Sequence, residues 1–221
     1  MSKISIELLD KMGDDLTVAN VARVSFAKWK SEFEVGKDDR LINYLADHEH
    51  SSPFRHTQIQ LRCKVPLFLA RQLQKHQAGL SWNEVSRRYV DVGIEFYVPG
   101  SWRSRPTDGI KQGSGEEHEA SEYFKHVYSQ FCKRAVHDYK EMIDEGVAPE
   151  MARMILPQSM MVDFVWTGNL LAFFHIYRLR AGEGSQEEAK EFAKLLEEIV
   201  QPLFPHCWSA LKGESNETAT N

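Results

Sequence analysis

The sequence predicts an α+β fold, in which a single domain of residues 1–211 combines an antiparallel or mixed sheet with long flanking helices. Apolar residues alternate with polar ones from Ile59 to Val65, which is the period of a half-buried strand. Residues 116–145 instead carry apolar side chains at every third or fourth position, as a long amphipathic helix does. Strands and helices do not alternate regularly, and no internal repeat or low-complexity linker divides the chain, so we expect one α+β domain.

The first half of the chain is predicted to hold two strands and three helices. Ile4, Ile6 and Leu8 alternate with polar residues, and Pro66 both ends the second strand and opens the helix after it. In chain order, we expect a strand at residues 4–8, helices at 17–24 and 38–46, a polar loop at 47–53, a strand at 58–65 and a helix at 67–75.

The second half is predicted to be mostly helical. Residues 93–114 mix aromatic residues, prolines and glycines, which indicates an ordered but irregular connection. After it we expect helices at 116–145, 149–156, 169–179 and 186–200, a strand at 161–167 and a polar, frayed tail at 212–221. The apolar face of the longest helix is predicted to consist of Tyr123, Val127, Phe131, Ala135, Tyr139 and Met142, with a charged, solvated face opposite.

Composition and charge exclude several classes of protein. Hydrophobic residues make up 42% and charged residues 27%, which is ordinary for a globular protein and excludes a disordered chain. The formal net charge of -5 leaves no overall basic field, so we expect no nucleic-acid partner, and any anion site must be a local pocket. The N-terminus lacks a signal-peptide pattern, and the longest uncharged run, at residues 164–177, is too short to span a bilayer. We therefore expect no membrane association.

The residues that commonly bind metals show no familiar pattern. The three cysteines are far apart without a Cys-x-x-Cys pair, which indicates reduced thiols in a cytoplasmic protein. His48, His50 and His56, with Glu49, match no zinc spacing, so we predict no metal site. The chain also lacks the fingerprints of dinucleotide-binding, P-loop and α/β-hydrolase proteins.

The densest group of polar residues lies at positions 71–89. It contains four cations, one carboxylate, a histidine, several amides and two hydroxyl groups, with Gly79 available for a tight turn. Guanidinium groups match phosphate oxygens, and amide and carboxylate groups can read the edge of a base, so the mixture suits a phosphorylated heterocycle. The alternative is a helix, a loop and a second helix whose charges are merely solvated.

A second polar group lies toward the C-terminus and comprises Arg153, Asn169, His175, Arg178, Arg180 and Gln186. His175 borders an apolar helix face, because Leu171 and Leu179 lie four residues to either side. A histidine at such a position is either a ligand or a core residue with one satisfied hydrogen bond. Arg178 and Arg180 also lie near a helix end, where cations interact favourably with the dipole.

Together these residues resemble a known family. Arg71-Gln72, Lys75-His76-Gln77 and residues 83–89 look like the signature of the flavin-dependent thymidylate synthases, or thymidylate synthase-complementing proteins. That signature usually reads Arg-His-Arg, seven residues, Ser, any residue, Arg and Tyr. Further matches follow the family's order at residues 52–56, 152–157 and 166–169, at Leu179-Arg180 and at Gln186, so that the resemblance extends over roughly residues 20–210.

The resemblance implies an enzyme with that family's fold, assembled as a homotetramer whose active sites lie between subunits. FAD would be the cofactor, methylenetetrahydrofolate the carbon donor and NADPH the reductant, and dUMP would be methylated to dTMP. By position, the residues expected at dUMP are Gln72, Lys75, Glu84, Ser86, Arg87, Arg88, Arg153 and Arg180, of which Arg180 is the expected catalytic residue beside the uracil ring. The residues expected at FAD are Ser52, Lys75, His76, Gln77, Glu84, Asn169 and His175.

The chain departs from the family pattern at the flavin-binding positions. Lys75-His76-Gln77 replaces Arg-His-Arg, so one bidentate cation becomes a point charge and another becomes neutral. Eight residues instead of seven separate Gln77 from Ser86, and Gly79 can absorb the extra residue in a turn. Leu171 stands where the family often has arginine.

These departures raise alternatives to thymidylate synthesis. FAD is expected to bind more weakly or in a shifted pose. In one alternative, water reaches the methylene-transfer intermediate and yields hydroxymethyl-dUMP in place of dTMP. A different alternative is a nucleotide-binding or RNA-binding relative that kept the fold and lost catalysis. The retained Gln72, Glu84, Arg153 and Arg180 argue against it, since a simple anion binder does not need that combination.

Overall fold

The computed structural model describes residues 2–106 and 113–214, which form a single mixed α+β domain. The sheet in this part of the chain has four antiparallel strands in the order β1-β2-β4-β3. The strands are β1 (Ser5–Met12), β2 (Gln58–Pro66), β3 (Leu80–Glu84) and β4 (Met161–Gly168). The α-helices of the described residues are α1 (Asp15–Arg23), α2 (Lys37–Asp47), α3 (Leu67–Leu73), α4 (Ser121–Asp144), α5 (Pro149–Ala152), α6 (Leu170–Ala181), α7 (Glu187–Val200) and α8 (Pro205–Lys212). The predicted fold class is confirmed.

The two central strands, β2 and β4, join the sheet to the helices that cover it. The alternation predicted for β2 is confirmed, because its fully buried side chains are Ile59, Leu61, Cys63 and Val65. Leu61 lies opposite Trp166 of β4. The Trp166 ring in turn meets Phe173 of α6 edge-on, with ring centroids 5.7 Å apart, and lies 6.3 Å from the Phe192 ring of α7. The two helices thereby pack on the same face of the sheet.

The edge strand β3 was not predicted, and the alternative of helix, loop and helix at residues 71–89 is wrong at this point. β3 pairs with β4 so that Trp82 lies opposite Trp166. Trp82 also stacks on Phe164, with ring centroids 3.4 Å apart and an interplanar angle of 18°. Cross-strand aromatic pairs contribute much of the stability of a short strand. The contacts with β4 therefore stabilise β3 more than the intrinsic strand preference of its own residues does.

The predicted apolar face of α4 is wrong in its first half. Ala135 and Tyr139 are buried, but Tyr123, Val127 and Phe131 are 65%, 45% and 54% exposed. A step of four residues advances about 400° around an α-helix, so side chains spaced by four drift about 40° per step. Between Tyr123 and Tyr139 that drift amounts to about 160°, which places the two ends of the pattern on nearly opposite faces.

The C-terminal helix α8 was also not predicted. Asp15 of α1 accepts hydrogen bonds from the backbone N–H groups of His206 and Cys207, at 3.2 and 2.8 Å, and so satisfies the first turn of α8. Trp208 is buried in the main core. Of the predicted tail, Lys212 ends α8, whereas residues 215–221 lie outside the described residues.

The irregular connection predicted at residues 93–114 contains no helix in its described parts, 93–106 and 113–114, while residues 107–112 lie outside them. Among the helices described, none is both long and apolar enough to cross a membrane.

Candidate active site

A cavity of about 680 Å³ opens where α3 ends and the chain turns into β3. Its lining contains four of the residues singled out from the sequence, Gln72, Lys75, His76 and Gln77. The other lining residues are Arg71, Gln74, Leu80, Trp82 and Trp166. The polar residues come from one continuous segment, whereas the two aromatic residues come from the edge strand β3 and its central neighbour β4, so the pairing of β3 with β4 shapes the cavity.

Arg180 of α6 is joined to this cavity through His76. Its Nε and Nη2 atoms lie 3.2 and 2.9 Å from Nε2 of His76. An arginine side chain can only donate, so Nε2 of His76 accepts and the ring is neutral with its proton on Nδ1. Burial lowers the pKa of His76, and the charge of Arg180 and the nearby His175 lower it further. The neutral form is therefore the stable one.

Glu84, at the end of β3, faces the same segment. Its Oε2 atom accepts hydrogen bonds from Nε2 of Gln74 at 3.2 Å and from Nε1 of Trp82 at 3.1 Å. In addition, Oε1 of Gln72 is buried and has no hydrogen-bond partner among the described residues. A buried acceptor without a donor is costly, so this amide is suited to a ligand that supplies an N–H group.

A second cavity, of about 780 Å³, lies on the other side of the segment that follows His76. Ala78 and Gly79 line it together with two expected flavin residues, Asn169 and His175. Asn169 caps α6 through Oδ1, which accepts from the N–H of Ala172 at 2.9 Å. Burial lowers the pKa of His175, and the charge of Arg178 lowers it further. Because residues 75–77 line the first cavity and 78–79 the second, the two cavities flank one short segment.

Gly79 makes the close approach of this segment to α6 possible. Its φ angle is +73°, and a Cβ atom at this position would lie only 2.5 Å from Nδ2 of Asn169. The turn therefore requires glycine both for its backbone conformation and for the space beside Asn169. This observation is consistent with the extra residue being accommodated by a turn at Gly79.

The remaining predicted residues lie apart from both cavities. Ser52 does not line the second cavity, although its neighbour Ser51 does. The side chain of Arg153 is exposed, with its Nε atom 3.3 Å from the carbonyl oxygen of Glu150. Neither cavity is lined by Ser86, Arg87 or Arg88, which follow β3 in an exposed loop.

The family model of the thymidylate synthase complementing proteins matches residues 7–206. The chain belongs to this family. It is 34% identical to the flavin-dependent thymidylate synthase of Thermus thermophilus over 96% of this chain and 77% of that protein. It is also 34% identical to the enzyme of the same name from Thermosipho africanus over 95% and 91% of the two chains. The family predicted from the signature is confirmed, and the chain is an enzyme.

Solved structures agree with the family assignment. The UMP/dUMP methylase PolB from Streptomyces cacaoi, bound with 5-Br dUMP, is 30% identical and superimposes with a TM-score of 0.86 over 96% of each chain. Its complex with 5-Br UMP superimposes with a TM-score of 0.84 at 28% identity. The family's fold is thus present over nearly the whole chain.

Some lining residues of this family member were not singled out from the sequence. Gln74 belongs to the dense polar group, but only the pairing of β3 brings Glu84 within hydrogen-bonding distance of it. Arg55 lines the second cavity, and the sequence indicates it only as part of the matching segment at residues 52–56. The presence of a cation within that segment is the one available signal.

Proposed function

We propose that this enzyme methylates dUMP to dTMP with methylenetetrahydrofolate as the carbon donor, NADPH as the reductant and FAD as the cofactor. The observation that carries the proposal is Arg180 held against the neutral His76 at the cavity where the buried Oε1 of Gln72 has no donor in the described part of the chain. A uracil ring offers an N–H group to the amide. The neighbouring guanidinium stabilises negative charge on the ring.

The residues of the second cavity fit a flavin dinucleotide. Its volume of about 780 Å³ lies in the range of cofactor sites, and its lining includes the cations Arg55 and Arg178 and the polar side chains of Asn169 and His175. Guanidinium groups suit the phosphate groups of such a cofactor. We also expect contacts to FAD from Ser52, Lys75, His76, Gln77 and Glu84. This chain would then hold FAD on both sides of the segment at Gly79. When bound, FAD supplies the hydride chemistry.

The protein's own contribution is to activate the pyrimidine by charge. When the uracil ring releases its N3 proton to water, it leaves an anion that Arg180 can stabilise, and the ring then becomes a better carbon nucleophile. No thiolate of the enzyme is needed for this route. Cys63, Cys132 and Cys207 are all buried, and burial raises the pKa of each thiol, which disfavours the reactive thiolate.

We further propose that the phosphate of dUMP is bound by Ser86, Arg88 and Arg153 at sites shared between subunits of a homotetramer. These side chains do not line the cavity of Gln72 in the same chain, so a neighbouring subunit would have to supply them. Dilution below the assembly constant should then abolish turnover. Full activity of an isolated monomer would contradict the shared site.

The decisive experiment is an anaerobic incubation of the protein with FAD, NADPH, methylenetetrahydrofolate and dUMP, followed by mass spectrometry of the nucleotide. A gain of a methyl group supports thymidylate synthesis. A gain of a hydroxymethyl group would show that water intercepts the transferred carbon. An Arg180→Gln variant serves as the matched control, because it should bind FAD and yet form little product.

UMP is a second candidate substrate. The observation in its favour is the extent of the match to PolB, a UMP/dUMP methylase, at 96% coverage of both chains. The same incubation with UMP and dUMP in competition decides between the two. Methylation of dUMP alone would confine the activity to the deoxynucleotide.

We expect this activity in the cytoplasm, since the three cysteines are free.

A further inference from the structure

The loop that follows β3, residues 86–93, is folded around the guanidinium group of Arg87. Nη1 of Arg87 donates to the carbonyl oxygens of Val92 at 2.6 Å and Val90 at 3.3 Å. Nη2 donates to the carbonyl oxygen of Gly93 at 3.2 Å. These three carbonyl groups belong to no helix or strand, so the side chain supplies donors that secondary structure does not.

Arg88, the next residue, is placed differently. Its Nε atom and its backbone N–H lie 3.5 and 3.3 Å from Oγ of Ser86, and its guanidinium group lies 5.0 Å from the centre of the Tyr89 ring. The side chain is exposed, and within residues 2–106 and 113–214 it pairs with no carboxylate. Its charge and most of its donors are therefore available to an anion.

The loop is weakly supported by packing. Asp91, Val92 and Gly93 line a cavity of about 450 Å³ that separates this part of the loop from Tyr139 of α4. Packed side chains would restrain a loop at such a position, whereas a cavity does not. The hydrogen bonds of Arg87 to Val90, Val92 and Gly93 are then the principal side-chain restraint on this part of the loop.

We infer that Arg87 is a positioning residue, which holds the loop so that Ser86 and Arg88 are presented to the nucleotide phosphate, and that it does not itself bind the phosphate. This inference rests on the proposed binding of dUMP by the loop. The family resemblance predicts that Arg87 contacts dUMP, whereas this inference makes Arg87 a residue that positions the loop. The physical benefit is preorganisation, because a loop that is already ordered loses less entropy when the ligand binds.

Hydrogen exchange in the absence of nucleotide tests the inference directly. The reporters are the amides of Tyr89 and Val90, which both donate to the carbonyl oxygen of Ser86, at 3.0 and 3.1 Å. In an Arg87→Gln variant these amides should exchange about tenfold faster or more, because several hydrogen bonds of a charged group are lost. An Arg88→Gln variant is the matched control and should exchange as the wild type does. Unchanged exchange in the Arg87→Gln variant would overturn the inference.

Equilibrium binding of dUMP to the assembled holoenzyme supplies the second measurement. Arg87→Lys keeps the charge but cannot bridge the same three carbonyl groups, so it should lose affinity and exchange protection nearly as Arg87→Gln does. Arg88→Lys should instead recover most of the affinity that Arg88→Gln loses. Wild-type affinity in Arg87→Lys would overturn the inference, since charge alone would then explain the residue. Failure of the wild type to bind dUMP would contradict the proposed function, while the exchange comparison would still stand.

Discussion

Arg180 donates two hydrogen bonds to a single atom, Nε2 of His76, from Nη2 at 2.9 Å and from Nε at 3.2 Å. A neutral acceptor thus orients the guanidinium group without cancelling its charge. A carboxylate in the place of His76 would compensate the charge and weaken its attraction for an anionic ligand. The pair therefore combines a fixed geometry with an available positive charge.

Protonation of His76 should weaken this arrangement. Burial and the charge of Arg180 place the pKa of His76 below 6.5 in the folded protein, whereas in the unfolded chain it has its ordinary value. The contribution of the neutral ring to stability is complete above pH 6.5 and is lost as the pH falls through the lower pKa of the folded state. We expect the urea concentration at the unfolding midpoint of the wild type to decrease as the pH is lowered from 6.5 to 5.

A His76→Gln variant is the control for this pH dependence. Its amide can still accept from Arg180 but does not titrate, and the other histidines remain in place. Its urea midpoint should change less than that of the wild type over the same interval. Equal changes in the two proteins would show that His76 is not the responsible group.

Arg180 and Arg178 should have separable roles although both lie in the last turn of α6. Arg180→Gln should lower kcat about 100-fold to 1,000-fold, the usual cost of removing a group that stabilises developing charge, and should leave FAD affinity nearly unchanged. Arg178→Gln should mainly weaken FAD binding, because Arg178 lines the second cavity. Flavin fluorescence titrations and steady-state rates measure the two effects. A large loss of FAD affinity in Arg180→Gln alone would contradict this division.

Gly79→Ala should lower the free energy of unfolding more than Gly146→Ala does. The new Cβ atom would lie 2.5 Å from Nδ2 of Asn169, and the positive φ angle adds backbone strain. We expect a loss of about 2 to 4 kcal/mol in the free energy of unfolding, from strain, steric overlap and disturbance of the Asn169 cap.

Gly146→Ala is the matched control for Gly79→Ala. Gly146 has a φ angle of +84°, but a Cβ atom there would meet no atom of residues 2–106 and 113–214 within 4 Å, apart from its chain neighbours. Backbone strain alone should then cost about 1 to 2 kcal/mol. Urea unfolding of both variants separates the strain from the steric contact, and equal losses would mean that Asn169 gives way without cost.

Trp82 should determine whether β3 stays on the sheet. Its ring stacks on Phe164, and its Nε1 atom donates to Glu84 at 3.1 Å. Trp82→Ala should lower the free energy of unfolding by about 2 to 4 kcal/mol, whereas Trp82→Phe keeps the aromatic contact and should cost about 1 kcal/mol. Urea unfolding measures both changes. Equal losses would indicate that the hydrogen bond, and not the stacking, supports the strand.

Local patterns in the sequence encode one part of this structure. The period-two alternation of β2 predicted which of its side chains are buried, because neighbouring side chains of a strand point to opposite faces. The ordered motifs from Arg71 to Tyr89 and from Arg153 to Gln186 identified the family, because a specific chemistry requires particular residues at particular spacings. Both kinds of information are present in the chain before it folds.

How these parts meet depends on long-range packing. The stacking of Trp82 on Phe164 makes residues 80–84 a strand, and this contact joins positions 82 residues apart in the chain. The same long-range packing brings His76 to Arg180 and leaves Tyr123 of α4 exposed. Local patterns specify the side chain and its immediate backbone. Pairing of distant strands and the rotation of a helix depend instead on the free energy of the whole packed domain, which no short stretch of sequence contains.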